Sequence, residues 1–169
     1  EIANLCEKTG GNVQMVAKGM GLDNRIGPKF LHPGPGFGGS CFPKDTRALN
    51  ASFNKNKIKN TLVKAVINFN EERKISMANK IKSLLRPKIK NKVVAFLGVT
   101  FKPNTDDLRE SPSLEIIPRL IKLGAKIHAH DPAFNQEFTK LKEFHKVRWY
   151  SNVLEAIKNA DLLVIHTEW

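Results

Sequence analysis

Cysteine is scarce in this chain, with only Cys6 and Cys41 among 169 residues. So few thiols cannot build the disulfide framework of a small secreted protein, and we therefore expect a reducing, cytoplasmic location. No apolar run is long enough to cross a membrane. The chain has one tyrosine and two tryptophans, and no aromatic residues alternate with the lysines in the way that stacks bases. These absences argue against a disulfide scaffold and a membrane span.

Acidic residues are also few, with 16 against 28 lysines and arginines and a net charge of +12. Such a charge is compatible with nucleic-acid binding. The lysines are scattered along the whole sequence, however, and charge alone argues for solubility rather than for a binding site. We expect a solvated basic surface, no nucleic-acid or membrane partner, and phosphorylated small molecules as ligands.

The most informative segment is the glycine-rich run at 34–40 together with Cys41, Pro43, Lys44 and Asp45. Glycines allow a ligand to approach the backbone closely, and Pro43 favours a helix that starts here. A thiol at a helix N-terminus beside a lysine is stabilised as the reactive thiolate. The alternatives are a tight structural loop and a buried, inert thiol.

Residues 34–39 formally satisfy G-x-G-x-x-G. The run before them is a poor strand, and no acid occurs at 54–60, so we reject a dinucleotide fingerprint.

Hydrophobic periodicity predicts helices first and a strand–helix alternation afterwards. A long helix at 58–85 would bridge domains or lie in a dimer interface; the alternative is a surface helix with a kink near Asn70. Strands that alternate with helices predict a parallel, doubly wound sheet. The other predicted helices are 1–26, 43–53, 112–123, 134–144 and 152–159, and the predicted strands are 92–98, 125–130, 147–150 and 161–166.

Polar residues leave the first strand at 98–112, and ligands of open parallel sheets bind at such carboxyl ends. Phe101 could pack against a flat ring, while Lys102 and Arg109 could bind anions; a plain polar loop is the alternative. Asp131 follows the second strand and could accept a bond from a ribose hydroxyl. His128 and His130 share a strand face without a third metal ligand, so we predict no metal site.

Three motifs carry a family resemblance: 24–31, 34–45 and 96–111. Together they resemble the UDP-glucose/GDP-mannose dehydrogenase family. The resemblance implies an α/β protein with a helical central domain at 1–86, including the bridging helix, and a Rossmann-like UDP-sugar-binding domain at 87–169. It also implies an oxidoreductase that uses NAD to convert UDP-glucose to UDP-glucuronate through a cysteine thiohemiacetal and thioester.

The resemblance also assigns roles to residues. Cys41 would be the nucleophile and Asp45 would assist the hydrolytic water, while Lys44 and Arg109 would contact NAD. The substrate would be held by residues on both sides of the cysteine. Arg25 would reach the substrate of a neighbouring subunit, which implies a homodimer or a larger homo-oligomer. The other implied substrate-binding residues are Phe30, Leu31, His32, Gly34, Phe37, Gly38, Phe101 and Lys102.

Parts of the family pattern are missing. The N-terminal NAD-binding domain is absent and the sheet of the second domain is incomplete, so we expect a piece of a longer enzyme that is inactive alone. Two alternatives stay open: a dehydrogenase for UDP-N-acetylmannosamine or GDP-mannose, and a non-catalytic dimerisation and UDP-binding module.

Overall fold

A computed structural model describes residues 1–169. The chain divides into two compact units, Glu1–Gly34 and Pro35–Trp169. The domain boundary expected at 86/87 stays a prediction.

The first unit contains two short helices, α1 (Ile2–Thr9) and α2 (Val13–Gly21). They are separated at Gly10, which adopts φ 75° at the end of α1. The Asn12 side chain accepts bonds from two backbone N–H groups and so caps the start of α2. The helical prediction for this region is confirmed up to Gly21, and turns follow.

The second unit opens with a glycine-rich segment and two helices, α3 (Phe42–Lys55) and α4 (Leu62–Leu84). Pro43 lies in the first turn of α3, where its missing N–H costs nothing. α4 is 23 residues long and buries Ala78 and Ile81 in the core. It packs against α3 and against the helix that follows the first strand. None of the helices combines the length and apolar character that a bilayer span requires.

Four parallel strands form one sheet in the order β3-β2-β1-β4. The middle of β1 is fully buried because helices cover the sheet, as its unbroken apolar run predicts. The mixed α/β fold with a parallel sheet is therefore confirmed. The strands are β1 (Val93–Leu97), β2 (Lys126–His130), β3 (Val147–Trp149) and β4 (Leu162–Ile165).

Three helices connect these strands: α5 (Ser113–Lys122), α6 (Gln136–Lys140) and α7 (Val153–Ile157). The helix predicted at 134–144 is shorter than expected. Leu141 is extended, with φ −72° and ψ 129°, and separates α6 from a 3₁₀ turn at Lys142–Phe144. The connection from β1 to α5, residues 98–112, leaves the carboxyl end of the central strand and is here called the β1–α5 loop.

Candidate active site around Cys41

Cys41 is exposed and immediately precedes α3. Its carbonyl accepts a bond from the Asp45 N–H at 2.8 Å, which closes the first helical turn. Its sulfur lies 3.6 Å from the Ser40 hydroxyl oxygen and makes no capping bond to the helix. The thiol is therefore accessible to a reactant at the positive end of a helix dipole.

Lys44 and Asp45 extend from the same first turn, and their side chains form an ion pair. The hydrogen bond from Lys44 to Asp45 raises the pKa of the lysine, and the nearby negative charge of a Cys41 thiolate adds to this effect. Both side chains are well exposed. A cation and a carboxylate therefore lie close to the sulfur, and both are free to exchange partners with a ligand.

The glycine-rich segment packs directly on the β1–α5 loop. The Gly39 N–H donates to the Arg109 carbonyl at 2.8 Å. A Cβ on Gly38 would lie 2.4 Å from the Glu110 carbonyl oxygen, so only glycine allows this approach. The Phe101 ring packs against Gly39. The fold thus brings the cysteine segment and the β1–α5 loop together, although they are far apart in sequence.

Cations line the exposed side of the β1–α5 loop. The Lys102 ammonium lies 5.5 Å from the centroid of the Phe101 ring. Arg109 donates to the Asp107 carboxylate from Nε and from an η nitrogen, at 2.8 to 3.1 Å. These bonds raise the pKa of Arg109 and lower that of Asp107, and a Cys41 thiolate contributes to the rise for Arg109. Arg109 therefore lies within electrostatic reach of the sulfur.

A buried polar network holds the base of this loop. The Asp131 carboxylate accepts bonds from the backbone N–H groups of Val99, Thr100 and Ala133, at 2.7 to 3.3 Å. Asp131 is 2% exposed, so its oxygens serve the loop rather than a ribose hydroxyl. That sequence interpretation is therefore wrong, because the carboxylate is consumed by backbone donors that the turn after β1 leaves unpaired.

Three hydroxyl groups complete the network. Ser111 and Ser113 donate to the Val99 carbonyl at 2.7 and 2.6 Å, and Thr167 donates to the Thr100 carbonyl at 2.7 Å. All three residues are buried. Side chains from the C-terminal end of the loop, from the start of α5 and from the segment after β4 thus fix the backbone that carries Phe101 and Lys102.

Comparisons with known proteins identify the family of the chain. Residues 1–72 match the central domain of the UDP-glucose/GDP-mannose dehydrogenase family, and residues 95–169 match its UDP binding domain. The chain belongs to this family. A UDP-glucose 6-dehydrogenase of Rickettsia felis is 46% identical over all of this chain and 38% of its own length. The chain thus spans about two fifths of the length of the curated relatives it matches.

Solved structures give the same family. A UDP-glucose dehydrogenase from Pyrobaculum islandicum has a TM-score of 0.88 and 32% identity, over 96% of this chain and 37% of that one. A GDP-mannose dehydrogenase from Pseudomonas aeruginosa has a TM-score of 0.75 and 27% identity, over 98% of this chain and 39% of that one.

The first unit carries the remaining residues that the family resemblance predicts for substrate binding. Arg25 is bonded to the Asp23 carboxylate through Nε and an η nitrogen, at 3.1 and 2.7 Å, and its side chain is 89% exposed. The roles of all these residues stay predictions. Besides Arg25, the predicted substrate-binding residues of this unit are Phe30, which is fully exposed, and Leu31, His32 and Gly34.

Arg47 and Glu110 were not predicted from the sequence. Two η nitrogens of Arg47 on α3 donate to the Glu110 carboxylate at 2.9 and 2.8 Å, across 63 residues of sequence. The bonds from Arg47 lower the pKa of Glu110. This pair ties the cysteine-bearing helix to the β1–α5 loop, and no local sequence signal could have identified it.

The histidine pair on β2 is engaged with the backbone. One ring nitrogen of His128 lies 3.3 Å from the Ala156 carbonyl, and one of His130 lies 3.0 Å from the Tyr150 carbonyl. No group of three or more potential metal ligands occurs in the structure.

Proposed function

We propose that the protein containing this chain oxidises UDP-glucose to UDP-glucuronate with NAD, through a covalent intermediate on Cys41. The observation that carries the proposal is the exposed thiol at the start of α3, beside a loop that carries a half-buried aromatic ring and two exposed cations. The overall reaction consumes one UDP-glucose, two NAD⁺ and one water, and gives UDP-glucuronate, two NADH and protons.

The sulfur acts after the first oxidation has produced an aldehyde at the sugar C6. The Cys41 thiolate adds to this carbon, a C–S bond forms, and the carbonyl oxygen takes a proton to give a thiohemiacetal. Oxidation of the thiohemiacetal leaves a thioester. Water then adds to the thioester carbon, the C–S bond breaks, and the thiolate is regenerated with the carboxylate product.

Asp45 and Ser40 flank this chemistry. Asp45 can hold the hydrolytic water, since its carboxylate is exposed one turn from the sulfur and accepts hydrogen bonds. Ser40 offers a hydroxyl 3.6 Å from the sulfur. The backbone N–H groups of the first turn of α3 provide positive partial charge where an oxyanion would develop.

The nucleotide part of the substrate suits the β1–α5 loop. A uracil ring can stack on an aromatic side chain, and an ammonium group binds pyrophosphate as a point charge. Phe101 and Lys102 are adjacent and supply these two groups. Phe37 and Gly38, in the glycine-rich segment, would line the part of the site that holds the sugar. Arg25 would contact the substrate of a neighbouring subunit in a homodimer.

NAD, when bound, accepts a hydride in each oxidation. Lys44 and Arg109 are exposed cations within electrostatic reach of Cys41, so they fit a dinucleotide pyrophosphate. The loop after β1 offers only Gly98 as a glycine at the strand end, so this sheet has no glycine-rich dinucleotide turn. The chain therefore contributes contacts to the cofactor rather than its main binding fold.

There are two alternative functions: a dehydrogenase for another sugar nucleotide and a non-catalytic UDP-binding module. The GDP-mannose dehydrogenase among the structural neighbours favours a related sugar-nucleotide substrate as the second candidate. Comparing kcat/KM for UDP-glucose, UDP-N-acetylmannosamine and GDP-mannose separates the substrates. A non-catalytic UDP-binding module would bind UDP without producing NADH from any of the three.

The direct test replaces Cys41 with serine in the full-length protein. Because a serine hydroxyl is a far weaker nucleophile at neutral pH, we expect UDP-glucuronate formation to fall at least about a thousandfold. Cys6→Ala is the matched control, since Cys6 is the other free cysteine and is buried in the first unit; it should keep activity within about threefold. Wild-type rates in Cys41→Ser would contradict the covalent mechanism.

A further inference from the structure

We infer that Asn70 of α4 is a positioning residue for Cys41, acting through the backbone of the glycine-rich segment. The catalytic part of this inference rests on the proposed function. In the structure, one buried amide fixes a chain segment that has no secondary structure of its own.

The Asn70 amide makes a pair of bonds with a single residue. The Phe37 N–H donates to Asn70 Oδ1 at 2.8 Å, and Asn70 Nδ2 donates to the Phe37 carbonyl at 3.1 Å. Asn70 is 5% exposed, so these bonds form away from bulk water. An amide side chain offers a carbonyl acceptor and an NH₂ donor side by side, and so pairs with both backbone groups of Phe37 as a neighbouring β-strand would. Asn70 thus supplies the paired bonds that the irregular segment lacks.

The segment is shaped to lie flat on α4 at this point. Gly36 adopts φ +135°, and a Cβ there would lie 2.9 Å from Asn70 Oδ1 and 3.5 Å from the Lys74 side chain. Any larger residue would push the backbone away from the helix. The glycine and the asparagine are therefore two halves of one contact.

Phe37 connects this contact to the residues next to the reactive cysteine. The Phe37 ring packs edge-on against Phe42, with centroids 4.7 Å apart, and Phe42 directly follows Cys41. Two residues beyond Phe37, the Gly39 N–H is bonded to the Arg109 carbonyl. The segment between Phe37 and Cys41 is thus held by α4 on one side and by the β1–α5 loop on the other.

A buried asparagine in a helix has a cost that an apolar residue would avoid, since its amide must give up water. The two bonds to Phe37 offset that cost only while the segment stays in this conformation. Asn70 therefore fixes one conformation of the segment, and with it the position of the Cys41 thiol. Placement errors of about 1 Å can cost about a hundredfold in rate.

The test uses the full-length protein with Asn70→Leu, which keeps the number and branching of the side-chain heavy atoms and removes both bonds. Asn68→Leu is the matched control, because Asn68 is exposed on the same helix. Gly36→Ala is the second variant, since it forces the same contact apart from the segment side and leaves α4 unchanged. The measurements are hydrogen exchange at the Phe37 amide, kcat and KM for UDP-glucose, and the rate of Cys41 alkylation by iodoacetamide.

In Asn70→Leu and Gly36→Ala we expect Phe37 exchange to accelerate about tenfold or more. We expect kcat to fall about ten- to a hundredfold with KM within about threefold, because chemistry depends on placement more than binding does. Alkylation by iodoacetamide, which needs no placement, should stay within about threefold. Asn68→Leu should change none of these quantities.

An unchanged Phe37 exchange rate would overturn the inference, and so would accelerated exchange with kcat within about twofold of wild type. A wild-type protein that fails to oxidise UDP-glucose would remove the proposed function instead. The Phe37 exchange rate would then decide the structural inference, with acceleration supporting it and no change overturning it.

Discussion

The base and the exposed rim of the β1–α5 loop use polar groups in opposite ways. At the base, the side chains of Asp131, Ser111, Ser113 and Thr167 are buried and bond to backbone atoms of the loop. At the rim, which carries Lys102, Arg109 and Glu110, Arg109 is exposed and bonds to the neighbouring Asp107 carboxylate. The base therefore contributes stability and geometry, whereas the rim contributes charge that a ligand can redirect.

This difference follows from solvation. A buried donor or acceptor that loses its partner costs about 1–3 kcal/mol, because no water replaces the bond. An exposed ion pair is worth about 0–1 kcal/mol, since water and salt screen it. Substitutions at the base should therefore act on folding, and substitutions at the rim should act on binding and catalysis.

The largest effect is expected at Asp131. Asp131→Asn replaces one acceptor oxygen by an NH₂ group that faces backbone donors, so the free energy of unfolding should fall by about 2–4 kcal/mol. Urea unfolding of the full-length protein measures it. The control is Asp106→Asn at an exposed position of the same loop. A loss below about 0.5 kcal/mol would show that the base is not held by this carboxylate.

A pH-dependent effect is expected at His166, which directly follows β4. The imidazole Nε2 is shielded from solvent without a partner, and burial lowers the pKa of the ring to about 4. The unfolded chain, with an ordinary pKa near 6.5, binds the proton more readily as the pH falls. The free energy of unfolding is therefore highest above about pH 6.5, where the ring is neutral in both states, and it falls as the pH drops towards 4.

Between about pH 7 and about pH 5, this histidine should account for a loss of about 2 kcal/mol in the free energy of unfolding. His166→Gln should flatten that part of the profile, whereas His145→Gln, at an exposed position, should leave it unchanged. An equally steep profile in His166→Gln would assign the pH dependence to other groups. Chemical unfolding at a series of pH values provides the measurement.

The smallest effect on stability is expected at the Arg47–Glu110 pair, which joins α3 to the rim. Both side chains are partly exposed, so a double-mutant cycle with Arg47→Gln and Glu110→Gln should give a coupling of about 0.5–1 kcal/mol. Because Arg47 holds the cysteine-bearing helix against the loop, Arg47→Gln should lower kcat by a larger factor than its small loss of folding stability would explain. A coupling above about 2 kcal/mol would place this pair with the base rather than the rim.

Local patterns predicted most of the fold. The apolar run that ends at Gly98 gives β1, and the uninterrupted helical pattern before Pro87 gives α4. The positions of Cys41 at a helix start and of Phe101 and Lys102 after a central strand were predicted correctly. These features depend on residues near one another in sequence, where periodicity and helix-start signals apply.

The contacts that organise the site could not be predicted in this way. Asn70 meets Phe37 across 33 residues and Arg47 meets Glu110 across 63. Asp131 looked like a ligand-binding carboxylate because its place after β2 suits one, yet its partners are the backbone donors of another strand end. Such pairings are decided by tertiary packing, and no local spacing encodes them.

The covalent step on Cys41 can be tested most directly by mass spectrometry of the full-length protein, quenched in acid while it turns over UDP-glucose and NAD. We expect the peptide containing Cys41 to carry a UDP-glucuronyl thioester that hydroxylamine releases. An active enzyme whose Cys41 peptide never gains this mass, and which keeps its rate after Cys41 has been fully alkylated, would contradict it.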